Sequence, residues 1–344
     1  MKIALITLLL AALISCSTAP TTPPPTVKIA KATNFKVVHK FIDKMVAKHD
    51  FDKNKLLKDF ATVEFKIIGK TAKKSKKKKS KKVKQPPMSW DKYKKLTITE
   101  ERIENGVKFW QNNLQTLLRA EKTYNVPAQI IVAILGIETR YGAKKGEKPT
   151  FKTLTIRAFT NYRRKNFYRK ELESFLLMTR ENQIPPLSVK GSYAGAMGFP
   201  QFIASSYRHY AVDFDGDGVV NLFSSTADAI GSIANYFDKH HWHDFGEIAR
   251  PIILTDKKFN YAKRSTSKPK ISAKDWRNKG FDIDKDINDK TKLAFIRLPQ
   301  KKIDETWLTF WNFYVITRYN HDNRYAMAAY HLSEKIKQQF NSIN

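Results

Sequence analysis

The stretch Ile130-Ile-Val-Ala-Ile-Leu-Gly-Ile137 is followed directly by Glu138. Apolar residues occupy nearly every face of this segment, so as a helix it must be buried. Pro127 suits its first turn and Gly142 its exit. A carboxyl at the end of such a helix sits against apolar walls. Ionisation there is disfavoured, and the group moves toward the pKa of a usable general acid. The competing reading is a structural glutamate that pairs with an arginine or caps a loop.

Around this helix the chain reads as mainly helical. Phe35, Val38, Phe41, Ile42, Met45 and Val46 recur at three and four. A helix is expected over 100–124, with Val107, Trp110, Leu114, Leu117 and Leu118 on one stripe, and further helices near 174–180, 227–239 and from Trp307 onward. Between 250 and 305 the pattern changes: Pro251–Leu254, Lys258–Ala262 and Leu293–Leu298 read as short strands of a small β subdomain.

The full chain of 344 residues carries 63 Lys+Arg against 32 Asp+Glu, a formal +31, which implies an anionic partner. The first residues narrow the choice. Lys2, an apolar run Ile3–Ile14 too short to span a bilayer, and Leu13-Ile-Ser-Cys16 read as an export signal ending in a lipobox, with Cys16 the acylated residue. Cys16 is the single cysteine, which excludes intramolecular disulfides and Cys-rich zinc sites. Residues 17–26 are a stiff Pro/Thr tether. Lys70–Lys84 holds ten lysines, with no arginine and no aromatic residue. It is read as a disordered insertion: either a solvated loop or a polycation for anionic headgroups or envelope polymers. Without stacking aromatics or bidentate arginines, nucleic acid is not an expected partner.

Two further clusters carry chemistry. Gly191–Gln201 (Gly-Ser-Tyr-Ala-Gly-Ala-Met-Gly-Phe-Pro-Gln) allows close backbone approach, and Ser192 and Gln201 offer uncharged hydrogen bonds to sugar or amide groups. Asp213-Phe-Asp215-Gly-Asp217-Gly218 places carboxylates at positions 1, 3 and 5 and glycine at 6, as in the first half of an EF-hand loop. Val219 would offer its carbonyl, and Asp228 would close the site in place of Ser224 at position 12. Asp50–Asn54 lacks the glycine and is read as a helix cap. His240, His241 and His243 are read as helix-end residues rather than metal ligands.

Ala133-Ile-Leu-Gly-Ile-Glu138-Thr-Arg-Tyr-Gly142, Gly191–Gln201, Tyr207–Leu222, Asp228–Phe237 and Asn312-Phe-Tyr-Val-Ile-Thr-Arg-Tyr-Asn320 together resemble the membrane-bound lytic murein transglycosylase B family. The resemblance covers roughly 35–340 apart from the lysine insertion. It implies cleavage of peptidoglycan between N-acetylmuramic acid and N-acetylglucosamine, leaving a 1,6-anhydromuramoyl end. Glu138 would serve first as acid and then as base, with no catalytic cofactor and a structural calcium ion. By the same resemblance Ser192, Gln201, Tyr236, Tyr319, Asn320, Tyr325, Arg164 and Tyr93 would line or support the cleft. Phe167 stands where the family has tyrosine, and Phe199-Pro200 where it has Tyr-Gly.

The implied fold is mainly α (α+β): a lysozyme-like helical core with an EF-hand-like calcium loop, a helical domain and a small β subdomain. The expected divisions are a signal peptide (1–15), a lipid-anchored linker (16–33), a helical domain (34–125) with insertion 70–84, the catalytic core (126–249), the β subdomain (250–305) and returning helices (306–344). Peptidoglycan strands, the membrane and cell-wall synthesis or hydrolysis proteins are the expected partners. The expected location is the outer membrane facing the periplasm, since Ser17 replaces the aspartate associated with inner-membrane retention. A hydrolytic muramidase and a non-catalytic wall-binding lipoprotein are the alternatives.

Overall fold

The computed structural model describes residues 27–68, 88–160, 162–244, 246–262, 267–301 and 303–343. Cys16, the Pro/Thr tether and the Lys70–Lys84 insertion lie outside these residues.

Strand β1 (Val27–Lys31) pairs antiparallel with β2 (Glu64–Ile68), bracketing helices α1 (Lys36–His49) and α2 (Lys53–Ala61). Val38, Phe41, Ile42 and Met45 are the buried stripe of α1. Asp50 ends α1 with φ 52°, and the Asp52 carboxylate accepts the Lys55 N–H at 2.9 Å. This segment is thus a helix junction with an N-cap.

Helices α3 (Trp90–Thr97), α4 (Glu100–Asn112) and α5 (Leu114–Tyr124) follow. The one helix expected over 100–124 is broken at Asn113. Its backbone (φ −121°, ψ 22°) leaves the helix, and its side-chain amide donates to the Phe109 carbonyl at 2.8 Å. The break resets the helical phase, so Leu117 is buried while Leu118 faces solvent.

Helix α6 (Ala128–Thr139) is the buried axis: Ile130–Gly136 are all buried. Around it lie β3 (Lys148–Pro149), α7 (Thr150–Phe159), α8 (Lys165–Glu181), β4 (Lys190–Gly191), α9 (Ala204–Tyr210) and α10 (Thr226–Lys239), with β3 and β4 forming a two-residue antiparallel ladder.

Next come β5 (Ala249–Pro251), α11 (Asp256–Ala262), β6 (Ile271–Ser272), α12 (Ala273–Asn278), β7 (Lys292–Leu298) and β8 (Glu305–Thr309). The sheet order is β5-β8-β7-β6, all antiparallel. Lys258–Ala262, expected as a strand, is helical. The alternation that suggested a strand yields to a helix start at Thr255-Asp256, where the Phe259 N–H bonds the Thr255 carbonyl at 2.9 Å. Strand β8 crosses the expected boundary at 305. Strand β7 shows why this sheet does not stand apart. Leu293 and Phe295 join a small core with Trp276, Phe281 and Leu308, whereas Ile296 and Leu298 join the main core.

Helices α13 (Trp311–Tyr319) and α14 (Asn323–Ile343) return to the core, where α14 packs on α6 and α4. That return is what brings the C-terminal tyrosines to the end of α6.

Candidate active site

Helix α6 stops one residue after Glu138. Arg140, Tyr141 and Gly142 all have positive φ (50°, 58° and 93°), so the chain turns sharply away. Two side chains hold the turn. The buried Thr139 hydroxyl donates to the Phe199 carbonyl at 3.0 Å and accepts the Gly142 N–H at 3.0 Å. The Tyr141 hydroxyl donates to the Arg102 carbonyl at 2.7 Å, reaching it between α4 and α6. A Cβ on Gly136 would lie 2.5 Å from the Tyr141 oxygen, and one on Gly106 2.6 Å from it. These glycines make room for the tyrosine that fixes the end of the helix.

Glu138 itself is half-buried. Its Oε1 accepts a hydrogen bond from the Tyr325 hydroxyl at 2.6 Å. Desolvation raises the carboxyl to about 7, against the opposing pull of that hydrogen bond. Among the described residues no charged side chain adds to this balance. The hydroxyls of Tyr325 and Tyr319 are pushed well above their ordinary value, by burial first and by the Glu138 charge second. Both therefore stay protonated and can only serve the carboxylate as donors or dipoles.

The tyrosines form a stack behind the acid. The Tyr319 and Tyr325 rings are parallel within 6°, with centroids 6.4 Å apart. The Tyr319 hydroxyl donates to the Pro200 carbonyl at 2.5 Å, which ties α13 to the glycine-rich loop. Tyr236 packs edge-on against Tyr319 at 4.9 Å, and its hydroxyl goes to the Arg318 carbonyl at 2.7 Å. It therefore backs Tyr319 and makes no hydrogen bond to Glu138. Tyr93 is close enough for Glu138, Asp322 and Arg324 to influence its hydroxyl, which burial raises first.

The loop residues are placed as struts. Gln201 has φ 50°, and its amide donates to the Lys145 and Gly198 carbonyls, each at 3.0 Å. The Ser192 hydroxyl accepts the Ala196 N–H at 3.0 Å. Phe199 is buried against Gly142 and bonds the Leu222 carbonyl through its N–H at 2.9 Å. Asn320 and Arg164 are exposed, and the Arg164 guanidinium lies 4.0 Å over the Phe167 ring. The structure thus brings Glu138, Tyr325, Tyr319 and Tyr93 together. Tyr236 stands one layer back, and Arg164 lies outside this group of contacts. Sequence reading passed over Thr139, Tyr141 and the Pro200 carbonyl. Only the positions of Thr139 and Tyr141, immediately after the acid, gave any signal.

In the loop after α9, ligand atoms of Asp213, Asp215 and Asp217 all lie within 4.8 Å of one another. Gly216 and Gly218 have positive φ and open space around them. Three hard oxygen donors converging in this way suit Ca²⁺. Asp213 accepts the Gly216 and Gly218 N–H groups at 2.7 and 2.8 Å, and Asp217 accepts that of Val219 at 2.8 Å. Asp228 is not in this cluster. It is fully buried beneath the loop and accepts the N–H groups of Phe214 (2.7 Å), Asn221 (2.6 Å) and Asp215 (3.4 Å). Through these bonds it shapes the loop from below. His240 packs on Tyr236 and His243 on Trp311, so these histidines are packing residues.

A mainly helical fold with one desolvated carboxylic acid under a tyrosine clamp defines a glycan-cleaving site of the lysozyme-like kind. Residues 34–334 match the model of the Transglycosylase SLT domain, and the chain belongs to that lytic transglycosylase family. It is 37% identical over 300 residues to membrane-bound lytic murein transglycosylase B of Escherichia coli K12, covering 86% of this chain and 81% of that protein. It is similar in structure to soluble lytic transglycosylase SltB1 of Pseudomonas aeruginosa, with TM-score 0.78, 38% identity, and 88% of this chain and 99% of that one covered. Escherichia coli Slt35 in complex with calcium aligns with TM-score 0.75 and 35% identity, over 89% and 94%. Pseudomonas aeruginosa SltB3 in complex with NAG-anhNAM-pentapeptide aligns with TM-score 0.71 and 25% identity, over 88% and 79%. Among the described residues, no helix is long and apolar enough to cross a membrane.

Proposed function

We propose that Glu138 cleaves the β-1,4 bond between N-acetylmuramic acid and N-acetylglucosamine in peptidoglycan and leaves a 1,6-anhydromuramoyl end. The observation that carries this reading is a single carboxyl raised to about 7 with one hydroxyl bonded to it and, among the described residues, no charged side chain shifting it. At neutral pH such a group is close to half protonated, the best compromise for a residue that must give a proton and then take one. It first protonates the glycosidic oxygen. As carboxylate it then removes the proton of the sugar's own C6 hydroxyl while that oxygen bonds C1, so no water is consumed. The Tyr325 hydrogen bond stabilises the carboxylate between the two steps and keeps it pointed at the cleft. A hydrolase ordinarily uses a second carboxylate to activate water, and none stands beside Glu138 among the described residues. The complex of one similar protein, SltB3, with an anhydro-sugar peptide supports the same reaction.

Ser192, Gln201, Tyr319, Asn320, Tyr93 and Arg164 are proposed to line or flank the glycan cleft, with Tyr236 backing Tyr319. Asp213, Asp215 and Asp217 would hold a structural Ca²⁺, with the Val219 carbonyl as a further ligand. Asp228 would act through the loop backbone. The ion would knit the loop to α10 and contribute stability rather than chemistry. Export, acylation at Cys16 and placement on the outer membrane complete the proposal. They are supported by the N-terminal sequence and by a membrane-bound relative.

The deciding experiment is mass spectrometry of muropeptides after digestion of purified sacculi. Products one water lighter than those of a muramidase are expected. Reducing-end products would assign hydrolysis, and no products would leave only wall binding.

A further inference from the structure

Three tyrosines surround one guanidinium at the edge of the glycine-rich loop. Arg157, on α7, lies 4.6 Å from the ring centre of Tyr162, 5.2 Å from Tyr168 and 5.6 Å from Tyr193. It donates to the Tyr193 carbonyl at 2.6 Å, to the Tyr162 hydroxyl and, at 3.4 Å, to the Tyr168 hydroxyl. Tyr168 is buried, but Tyr193 is 75% exposed and Tyr162 40%. Among the described residues no carboxylate pairs with Arg157 or with the neighbouring exposed Arg163 and Arg164. An arginine with all its bonds directed at tyrosines fixes two rings in water, which no requirement of the core explains.

The patch is joined to the acid through one loop. Tyr193 follows Ser192, whose N–H bonds the Ala196 carbonyl at 2.8 Å. Met197 and Phe202 exchange backbone bonds at 2.8 and 3.1 Å, and the Phe199 carbonyl between them takes the Thr139 hydroxyl beside Glu138. Tyr193 is thus carried by the same loop whose Phe199 carbonyl holds the end of α6.

We propose that Arg157, Tyr162 and Tyr193 form an additional subsite that holds a sugar ring of the strand away from the bond being cleaved, with Tyr193 as the stacking face and Arg157 as its positioning residue. The proposal rests on the glycan-cleaving reading above. A pyranose presents an apolar C–H face to a tyrosine ring and hydroxyls to its polar tip, which is what this arrangement offers. The unpaired cations alongside complement the stem-peptide carboxylates that every second sugar carries. Binding held so far from the reacting bond favours long strands, because remote contacts can be spent on orienting the reacting unit.

The test is titration of soluble glycan strands onto the full chain carrying Glu138→Gln, so that binding is read without turnover. Strands with and without stem peptides are compared. Tyr193→Ala should weaken both by about five- to tenfold, the scale of one aromatic contact, and the loss should persist at high salt because stacking is not screened. Tyr193→Phe should bind as the parent. Arg157→Met, which releases both rings, should weaken binding as Tyr193→Ala does. The exposure of Tyr193 predicts unchanged melting for its variants, which separates removal of a stacking face from damage to the fold. Unchanged binding by Tyr193→Ala overturns the subsite. A loss confined to peptide-bearing strands also overturns it, assigning the patch to the stem peptide. Cleavage of the strands by Glu138→Gln would overturn the reaction mechanism, and the Tyr193 comparison, then read from initial binding before turnover, would still decide the subsite.

Discussion

Replacing Tyr325 with phenylalanine removes one hydroxyl from a buried ring and leaves the packing nearly intact. The structure specifies what that hydroxyl does: it donates to Glu138 Oε1 at 2.6 Å, and it pulls the carboxyl down against a burial effect that has raised it to about 7. A hydrogen bond to an ionised group contributes about 1.5–3 kcal/mol. At 1.36 kcal/mol per unit, its loss raises the Glu138 pKa by about one to two units. The sign follows from the form the bond favours. Tyr325 supports the carboxylate, so without it the acid holds its proton to higher pH. In the parent enzyme kcat/KM should fall on the alkaline side with a midpoint near 7, as the protonated acid disappears. In Tyr325→Phe that limb should move up by about one to two units, while the plateau falls about 10- to 100-fold because the carboxyl is less firmly aimed. Release of soluble muropeptides from sacculi between pH 5 and 10 measures both. An alkaline limb that stays in place or moves down would refute the role assigned to Tyr325, whatever the plateau does.

Glu138→Gln should abolish cleavage by at least ~10²-fold and also change stability with pH. Because the folded pKa is raised above the ordinary 4.5, the contribution to stability is present below that value and is lost as pH rises through about 7. Above 7 the fold carries a penalty of at most about 3 kcal/mol for the charged carboxylate, so the glutamine variant should melt higher than the parent at pH 9 and not at pH 4. Gly136→Ala should cost about 1–3 kcal/mol in denaturant titrations, since its methyl meets the Tyr141 hydroxyl oxygen at 2.5 Å and the ring at 2.7 Å. Calcium should raise the melting temperature and Asp217→Ala should cancel the response, whereas Asp228→Ala should lose about 2–4 kcal/mol with or without calcium by stranding loop N–H groups. Cys16→Ser should release the protein from membranes in fractionation, and a variant that still pellets would refute acylation as the anchor.

The helix that ends in Glu138 was legible because a run apolar on every face has one fate, and the carboxyl closing it inherits that burial. The carboxylates of the loop at 213–217 were legible for a similar reason: a fixed spacing forces convergence. What could not be read was who meets whom across the chain. Asp228 has the right chemistry for a calcium ligand and the right distance in sequence, but that spacing gives no sign of the three loop N–H groups its buried carboxylate also accepts. Lys258–Ala262 alternates like a strand, but a cap at Thr255-Asp256 costs less to satisfy than an edge pairing far away in sequence. Asn113 broke a helix whose stripe looked continuous because its amide competes for the Phe109 carbonyl. Local pattern loses where a short polar side chain finds a nearer backbone partner.

The placement of Glu138 follows from how the chain leaves α6. A helix that continued would carry the residues after 138 along its axis and cover the carboxyl with its own next turn. Instead three successive positive-φ residues turn the backbone away. Two of these are not glycine, so the turn is strained and needs support. Thr139 holds it from the side of the glycine-rich loop and Tyr141 from the side of α4, through hydrogen bonds at 3.0 and 2.7 Å. The same carbonyl row, at Phe199 and Pro200, takes Thr139 from one direction and Tyr319 from the other. The loop therefore sets the distance between the end of α6 and the tyrosines of the returning helices. A change in loop geometry would move Tyr325 and Glu138 relative to each other, and the 2.6 Å bond that tunes the acid depends on their spacing. In this chain the Phe-Pro pair at 199–200 fixes φ at the point where both hydroxyls attach. Loosening it with Pro200→Gly should therefore shift the alkaline limb of the pH profile as well as lower the rate. A loss of rate with an unmoved limb would mean that the loop binds substrate without tuning the acid.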